Sequence, residues 1–143
     1  MIINTCSEAM SLAKELENKS SKFYQHLSDR FLQHQELFLT FVKENENYIT
    51  QIDRAYYGVI TDAFEGCFAF NMDPETYAFK TELTEKAGPS EALTRSIEIE
   101  ETMIKFYTEA AEQSKSLMAD VPRAFKMVAK KRGNRLSILK TLL

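Results

Sequence analysis

Two glutamates, Glu17 and Glu100, are each followed by a Phe-Tyr pair that ends at Tyr24 and Tyr107, in the segments ENKSSKFY and EETMIKFY. On a helix the step from Glu to Tyr turns the chain by about 700°, so the carboxylate and the phenol point the same way within roughly 20°. A single helix glutamate is ordinarily solvated. Two in the same setting read as inward carboxylates, which can ligate a hard cation or accept from a guanidinium. His26 sits about 180° around the helix from Glu17 and faces away from it, and His34 falls in or beside a turn. Both read as surface histidines. Cys6 and Cys67 form neither a C-x-x-C pair nor a metal-type spacing, and are expected as reduced thiols.

The segments belong to a longer repeat. Shifting the second half by 83 places sets SEAMSLAKELENKSSKFY over SEALTRSIEIEETMIKFY, with eight of eighteen positions identical. At a shift of 87, FLTFVKENENYITQI lies over FKMVAKKRGNRLSIL, pairing Phe38 with Phe125, Phe41 with Val128, Lys43 with Lys130 and Ile52 with Leu139. The chain reads as a duplicated helical hairpin.

The elements that must position these residues follow from apolar periodicity. Ala9, Leu12, Ala13, Leu16, Phe23, Tyr24 and Leu27 recur at three and four, and Thr5 with Glu8 forms a capping box ahead of them. A second helical stretch carries Phe31, Leu37, Phe38, Phe41, Tyr48, Ile52 and Tyr56, and LSDRFLQHQE supplies a short turn between the two. Residues 58–89 hold three of the four glycines and two of the three prolines, so they read as a crossover, with Asp73-Pro74-Glu75 starting a short helix in it. Phe64, Phe68, Phe70, Tyr77 and Phe79 are expected to pin the crossover to the bundle. Helix three starts near Pro89 and helix four at Asp120-Val121-Pro122. The expectation is one all-α domain: hairpin one over about 5–57, crossover over about 58–89 and hairpin two over about 90–143.

Composition narrows the function classes. At 44% hydrophobic and 27% charged, with so few Gly and Pro, the chain is globular and too poor in turn formers for an all-β fold. A net charge of -3 gives no footprint for nucleic acid, despite the basic KKRGNR near the end. No apolar run reaches the roughly 18 residues of a membrane span, and MIINTCSEAM lacks the features of a secretion signal. A cytoplasmic protein is expected.

On the ENKSSKFY and EETMIKFY segments and the duplicated hairpin, the sequence resembles the ferritin-like superfamily, and within it the rubrerythrin-type di-iron carboxylate proteins. The resemblance covers nearly the whole chain and implies a four-helix bundle of two pseudo-repeated hairpins. It also implies two iron atoms held by a Glu from each of two helices and a Glu-x-x-His pair from each of the others. Glu17 and Glu100 match the single-Glu positions. Carrying the pattern through Phe38 and Phe41, however, puts Asn45 and Tyr48 where Glu and His belong. Carrying it through Phe125 and Val128 puts Arg132 and Arg135 there.

Arginine stays protonated and has no free lone pair, so it ligates no metal. Glu44 and Glu46 stand about 100° off the inward direction beside Asn45. Two outcomes remain open. Either the arginines enter the metal cavity and pair with Glu17 and Glu100, Asn45 and Tyr48 satisfying leftover groups, or helix four is rotated or frayed at Gly133 and both are solvated.

Three functions follow. The first is a non-catalytic binding, assembly or regulatory module without cofactor, expected to be a homodimer. The second is an iron-dependent oxidase or peroxidase that recruits unusual ligands such as Glu44, Glu46 and His34. The third is a small-molecule-binding helical bundle. The rubredoxin-like iron module that some members of the family append is missing from the sequence, since its two cysteines stand far apart.

Overall fold

Thr5 caps the first long helix, α1 (Cys6–Arg30): its side chain accepts from the Glu8 N–H, and Glu8 Oε1 accepts in return from the Thr5 N–H, both at 3.1 Å. In the computed structural model, which describes residues 1–59, 69–117 and 119–143, α1 buries an unbroken stripe from Cys6 through Leu12, Leu16, Glu17, Ser20, Tyr24 and Leu27. The spacing of three and four that marks this stripe in the sequence is the spacing of one helix face. Helix α1 ends at Phe31, with φ -118° and ψ 86°, and a single 3₁₀ turn, Leu32–His34, leads into α2 (Gln35–Val59). Phe31 therefore closes α1 and does not open α2, which corrects its assignment to the second periodic stretch. Its aromatic ring suggested a core position, but the turn geometry leaves it only partly buried.

Helix α3 (Pro89–Gln113) begins with proline at its first position, where no N–H is missed, and α4 (Asp120–Leu142) follows a short link. Among the described residues these four helices and two 3₁₀ turns are the regular structure, and no helix is long and apolar enough to cross a membrane. α1 packs along α2, and α3 along α4, while α2 lies against α4. One apolar cluster, from Ile3 to Leu139, draws on all four helices.

The connection between α2 and α3 is tied down by specific bonds. Ile3 and Met72 form an antiparallel bridge, with N–H to O distances of 2.7 and 3.1 Å, so the residues before α1 clasp the incoming chain. Asp73 caps the 3₁₀ turn Pro74–Tyr77, accepting from the Glu75 N–H. Tyr77 donates its hydroxyl to the Glu109 carboxylate, and Lys19 Nζ donates to the Phe79 carbonyl at 2.6 Å while lying over its ring. Arg30 Nη2 donates to the carbonyls of Thr84, Glu85 and Ala87 at 2.6 to 2.9 Å. Phe70, Tyr77 and Phe79 are buried, as expected of anchors, whereas Phe64, Phe68 and Cys67 lie outside the described residues.

Helix α4 runs unbroken through Gly133, whose φ is not positive and where an added Cβ would meet nothing within 4 Å. Gly133→Ala is therefore expected to stabilise the chain by about 0.5–1 kcal/mol, through lower unfolded-state entropy and better helix propensity. Urea denaturation checks it, and a destabilised variant would reveal a close neighbour at that position.

Candidate functional site

The middle of the helical layers is polar. Glu17 from α1, Glu100 from α3, Asn45 from α2 and Arg132 from α4 are each 0% exposed, and Arg135 is 2% exposed. Each is one element of a buried helical stripe, so the same periodicity that brings Leu and Phe inward brings these side chains with them.

Arg132 occupies the space between the two carboxylates. Its Nη2 and Nε donate to the two oxygens of Glu17 at 2.5 and 3.3 Å, and its Nη1 donates to those of Glu100 at 2.6 and 2.8 Å. Nη2 also reaches Asn45 Oδ1 at 3.0 Å. Every N–H-bearing atom of this guanidinium thus has an acceptor. Arg135, one turn on, donates from Nη1 to Asn45 Oδ1 at 2.9 Å and to Glu100 Oε2 at 3.4 Å. Its Nη2 donates to Glu44 Oε1 at 3.0 Å, with longer approaches to the Phe41 carbonyl and the Tyr48 hydroxyl. The ring of Phe41 lies 4.4 Å from its guanidinium carbon, and those of Tyr48 and Tyr24 lie at 5.4 and 5.6 Å.

The tyrosines complete the carboxylates crosswise. Tyr24 on α1 donates to Glu100 on α3 at 2.6 Å, and Tyr107 on α3 donates to Glu17 on α1 at 2.5 Å. Position 17 thus faces 107 and position 24 faces 100, which sets α1 and α3 in opposite directions. Two aromatic clusters border the polar centre: Tyr24 with Phe38 and Phe41, and Tyr107 with Phe106 and Phe125. They exclude water from the charges, which strengthens each pairing and raises the cost of leaving one unpaired.

These surroundings set the proton affinities. Burial alone would push the Glu100 carboxyl upward, but Arg132 and Arg135, with the Tyr24 hydrogen bond, hold it below its ordinary value. Burial disfavours charge on Arg132 too, and is outweighed by Glu100 and Glu17, which keep it protonated. Burial first and the adjacent glutamate charges second push both Tyr24 and Tyr107 well above 10. Tyr48 and Tyr77 are raised as well, chiefly by burial.

A raised phenol stabilises the fold below its unfolded value near 10, and that stabilisation is lost as pH climbs through the folded value. Alkaline titration followed by phenolate absorbance is therefore expected to fall short of all six tyrosines until the chain unfolds, and then to rise in one cooperative step. Smooth ionisation of all six in the native state would contradict the buried tyrosine–glutamate pairs.

The structure brings Glu17, Glu100, Asn45, Arg132, Arg135, Tyr24 and Tyr107 into one network, with Tyr48 at its edge; solvation of the arginines by a rotated or frayed α4 is ruled out. His26 is exposed, and His34 ends the 3₁₀ turn against the Phe38 ring, both away from this centre. Two participants, Ser20 and Ser21, escaped the sequence reading. Asn45 Nδ2 donates to the hydroxyls of Ser20 and Ser21 at 3.1 and 3.0 Å, which orients its carbonyl toward both arginines. Ser20 follows Glu17 by three positions, so helix spacing was a usable signal. Glu44, placed off the inward direction, nonetheless reaches Arg135, because its side chain spans what its backbone position does not.

Among the described residues no group of three or more His, Cys, Asp and Glu side chains could hold a metal ion. Glu17 and Glu100 are the two carboxylates of the centre, and the position between them is taken by a guanidinium that has no lone pair to give. This donor set does not fit a di-iron centre. Comparison with known protein families, with curated proteins and with solved structures yields no match to this chain.

Proposed function

We propose that this chain is a ferritin-like bundle of the rubrerythrin kind in which an arginine–carboxylate network stands where the family holds two irons, and that it serves as a non-catalytic binding or assembly module. The observation that carries this reading is the seat of Arg132, bonded to both oxygens of Glu17 and both of Glu100 with no exposure to solvent. In a di-iron protein the metals would supply the positive charge that balances inward carboxylates. Here two guanidiniums balance two carboxylates.

The crosswise Tyr24–Glu100 and Tyr107–Glu17 bonds support a pseudo-twofold relation between the halves, as duplication of one hairpin would leave. The opposed directions of α1 and α3 agree with it. A homodimer formed through outer helix faces belongs to the same proposal, and sedimentation reads it.

The test is purification with ferrous iron supplied throughout, followed by elemental analysis, absorption spectroscopy and assay of peroxide-dependent oxidation. Metal far below stoichiometry, no oxo-bridge absorption and no turnover are expected. Near-stoichiometric iron with an oxo-bridged spectrum would overturn the reading.

A further inference from the structure

The two arginines are not equivalent, and the difference points outward. In Arg132 the Nε/Nη2 edge of the guanidinium, two parallel donors, holds both oxygens of Glu17. In Arg135 the same edge is half used: Nη2 holds one oxygen of Glu44, and Nε, though buried, has no acceptor among the described residues. A buried N–H without a partner is costly, so such an atom calls for an acceptor beyond those the described residues provide.

A cavity adjoins this arginine, with Nε itself buried at its side. Arg135 lines a cavity of about 370 Å³ between α2 and α4, near the small end of the roughly 300–1,000 Å³ range of small-molecule sites. Glu44, Lys131 and Asn134 contribute polar groups to its lining, and Phe41 and Ile138 give it an apolar wall. Glu44 is a poor permanent occupant of the edge. Its backbone position beside Asn45 aims it about 100° off the centre, it engages only one donor, and its side chain is 45% exposed. With its carboxylate open to water although its guanidinium is buried, this ion pair is worth about 1 kcal/mol and exchanges readily.

We propose that this cavity binds a small monocarboxylate, whose two oxygens take the Nε/Nη2 edge of Arg135 in place of Glu44 and whose apolar tail lies on Phe41 and Ile138. Two parallel donors match the planar pair of oxygens of a carboxylate, and a single donor does not discriminate in that way. Glu44, released, turns to solvent beside Lys131, so the exchange leaves no buried charge unpaired. Asn134 and Lys131 sit on exposed positions at the mouth, where they attract and orient the anion. The site rests on the non-catalytic reading above, since it needs Arg135 held by the buried network and unavailable to any metal chemistry. The two can still fail separately: iron loading tests the first, and ligand titration of the protein as purified tests the second.

The experiment is titration of the full chain with hexanoate, observed through the Nε–Hε signals of arginine and the backbone amides, with hexanamide and hexylamine as controls. A saturable shift of the Arg135 Nε–Hε signal, together with amides of residues 41–48 and 131–138, is expected for hexanoate alone. Glu44→Gln removes the internal competitor and should tighten binding roughly two- to fivefold, the size of one exposed ion pair. Lys131→Glu, at an exposed position, should weaken it by a similar factor. Arg135→Lys keeps the charge but loses the two-donor edge, and should abolish saturation; should that variant fail to fold, Glu44→Gln and Lys131→Glu decide the matter. Equal response to hexanamide, shifts that never saturate, or an affinity indifferent to Glu44 and Lys131 would each overturn the proposal.

Discussion

Replacing Arg132 with alanine is expected to lower folding stability by about 3 to 5 kcal/mol, the cost of breaking a buried ion pair from one side. The variant strands Glu17 and Glu100 at the centre of the helices. Glu17 would retain the Tyr107 hydroxyl as its hydrogen-bond donor, and Glu100 would retain Tyr24 and the long contact to Arg135. Neither arrangement replaces a guanidinium that served all four oxygens, and the vacated volume adds a cavity term. Arg132→Lys should recover little, because a point charge cannot present two edges to two carboxylates.

The informative companion is the triple variant Glu17→Gln, Glu100→Gln, Arg132→Met. Removing both signs of charge together leaves few buried groups unpaired, and such replacements are often neutral or stabilising. It should regain at least about 2 kcal/mol over Arg132→Ala. Urea denaturation of the three proteins reads all of this. A loss below about 1 kcal/mol in the single variant, against the 3 to 5 expected, would mean that the network is not buried as described.

Acid is expected to unfold the protein through the same centre. Glu100 has a folded-state pKa below its unfolded value near 4.5. Its contribution to stability is therefore complete above that value and is lost as pH falls through the lower, folded one. Over that window each carboxylate that takes up its proton only on unfolding adds a slope of about 1.4 kcal/mol per pH unit. Glu8, held low by the N–H groups of Asn4 and Thr5 at the cap of α1, has the same sign and acts in the same window.

Denaturation curves taken from neutral pH down to about 3 should show stability flat at first and then falling below the mid-fours. In the Glu17→Gln, Glu100→Gln, Arg132→Met protein the fall should be shallower by the Glu100 share. An unchanged slope in that variant would place the acid-sensitive groups elsewhere.

The proposed binding role and the proposed carboxylate site rest on different parts of one network. Arg132, fully enclosed and fully bonded, fixes how α4 seats against α1 and α3. Arg135 carries the same charge to the edge of that network, where a cavity and an unused donor give it something further to do. On that proposal one arginine is held for structure and the other, buried beside the cavity, is kept for recognition, since they stand one turn apart on the same helix.

Much of this was legible in the residues themselves. Helix α1 could be read from Thr5, Glu8 and a stripe of apolar side chains, because capping and helical periodicity are local properties of the chain. The starts at Pro89 and Asp120, and the short turn at Pro74, follow from proline and cap chemistry for the same reason. The inward direction of Glu17 and Glu100 was likewise a matter of spacing along single helices, whereas Asn45, Arg132 and Arg135 came only from the family resemblance.

What spacing along one helix cannot contain is the meeting of different helices. That Arg132 lies between Glu17 and Glu100, that each tyrosine serves the glutamate of the other half, and that Ile3 clasps Met72 are long-range pairings. The reach of Glu44 to Arg135 depends on side-chain length and on the distance between α2 and α4, which no periodicity encodes. The choice between buried and solvated arginines was of this kind as well. Local residue order dictates the helices, their buried faces and the identities of the charges at the centre; packing between helices settles which charges touch, and leaves one buried donor of Arg135 without an acceptor among the described residues.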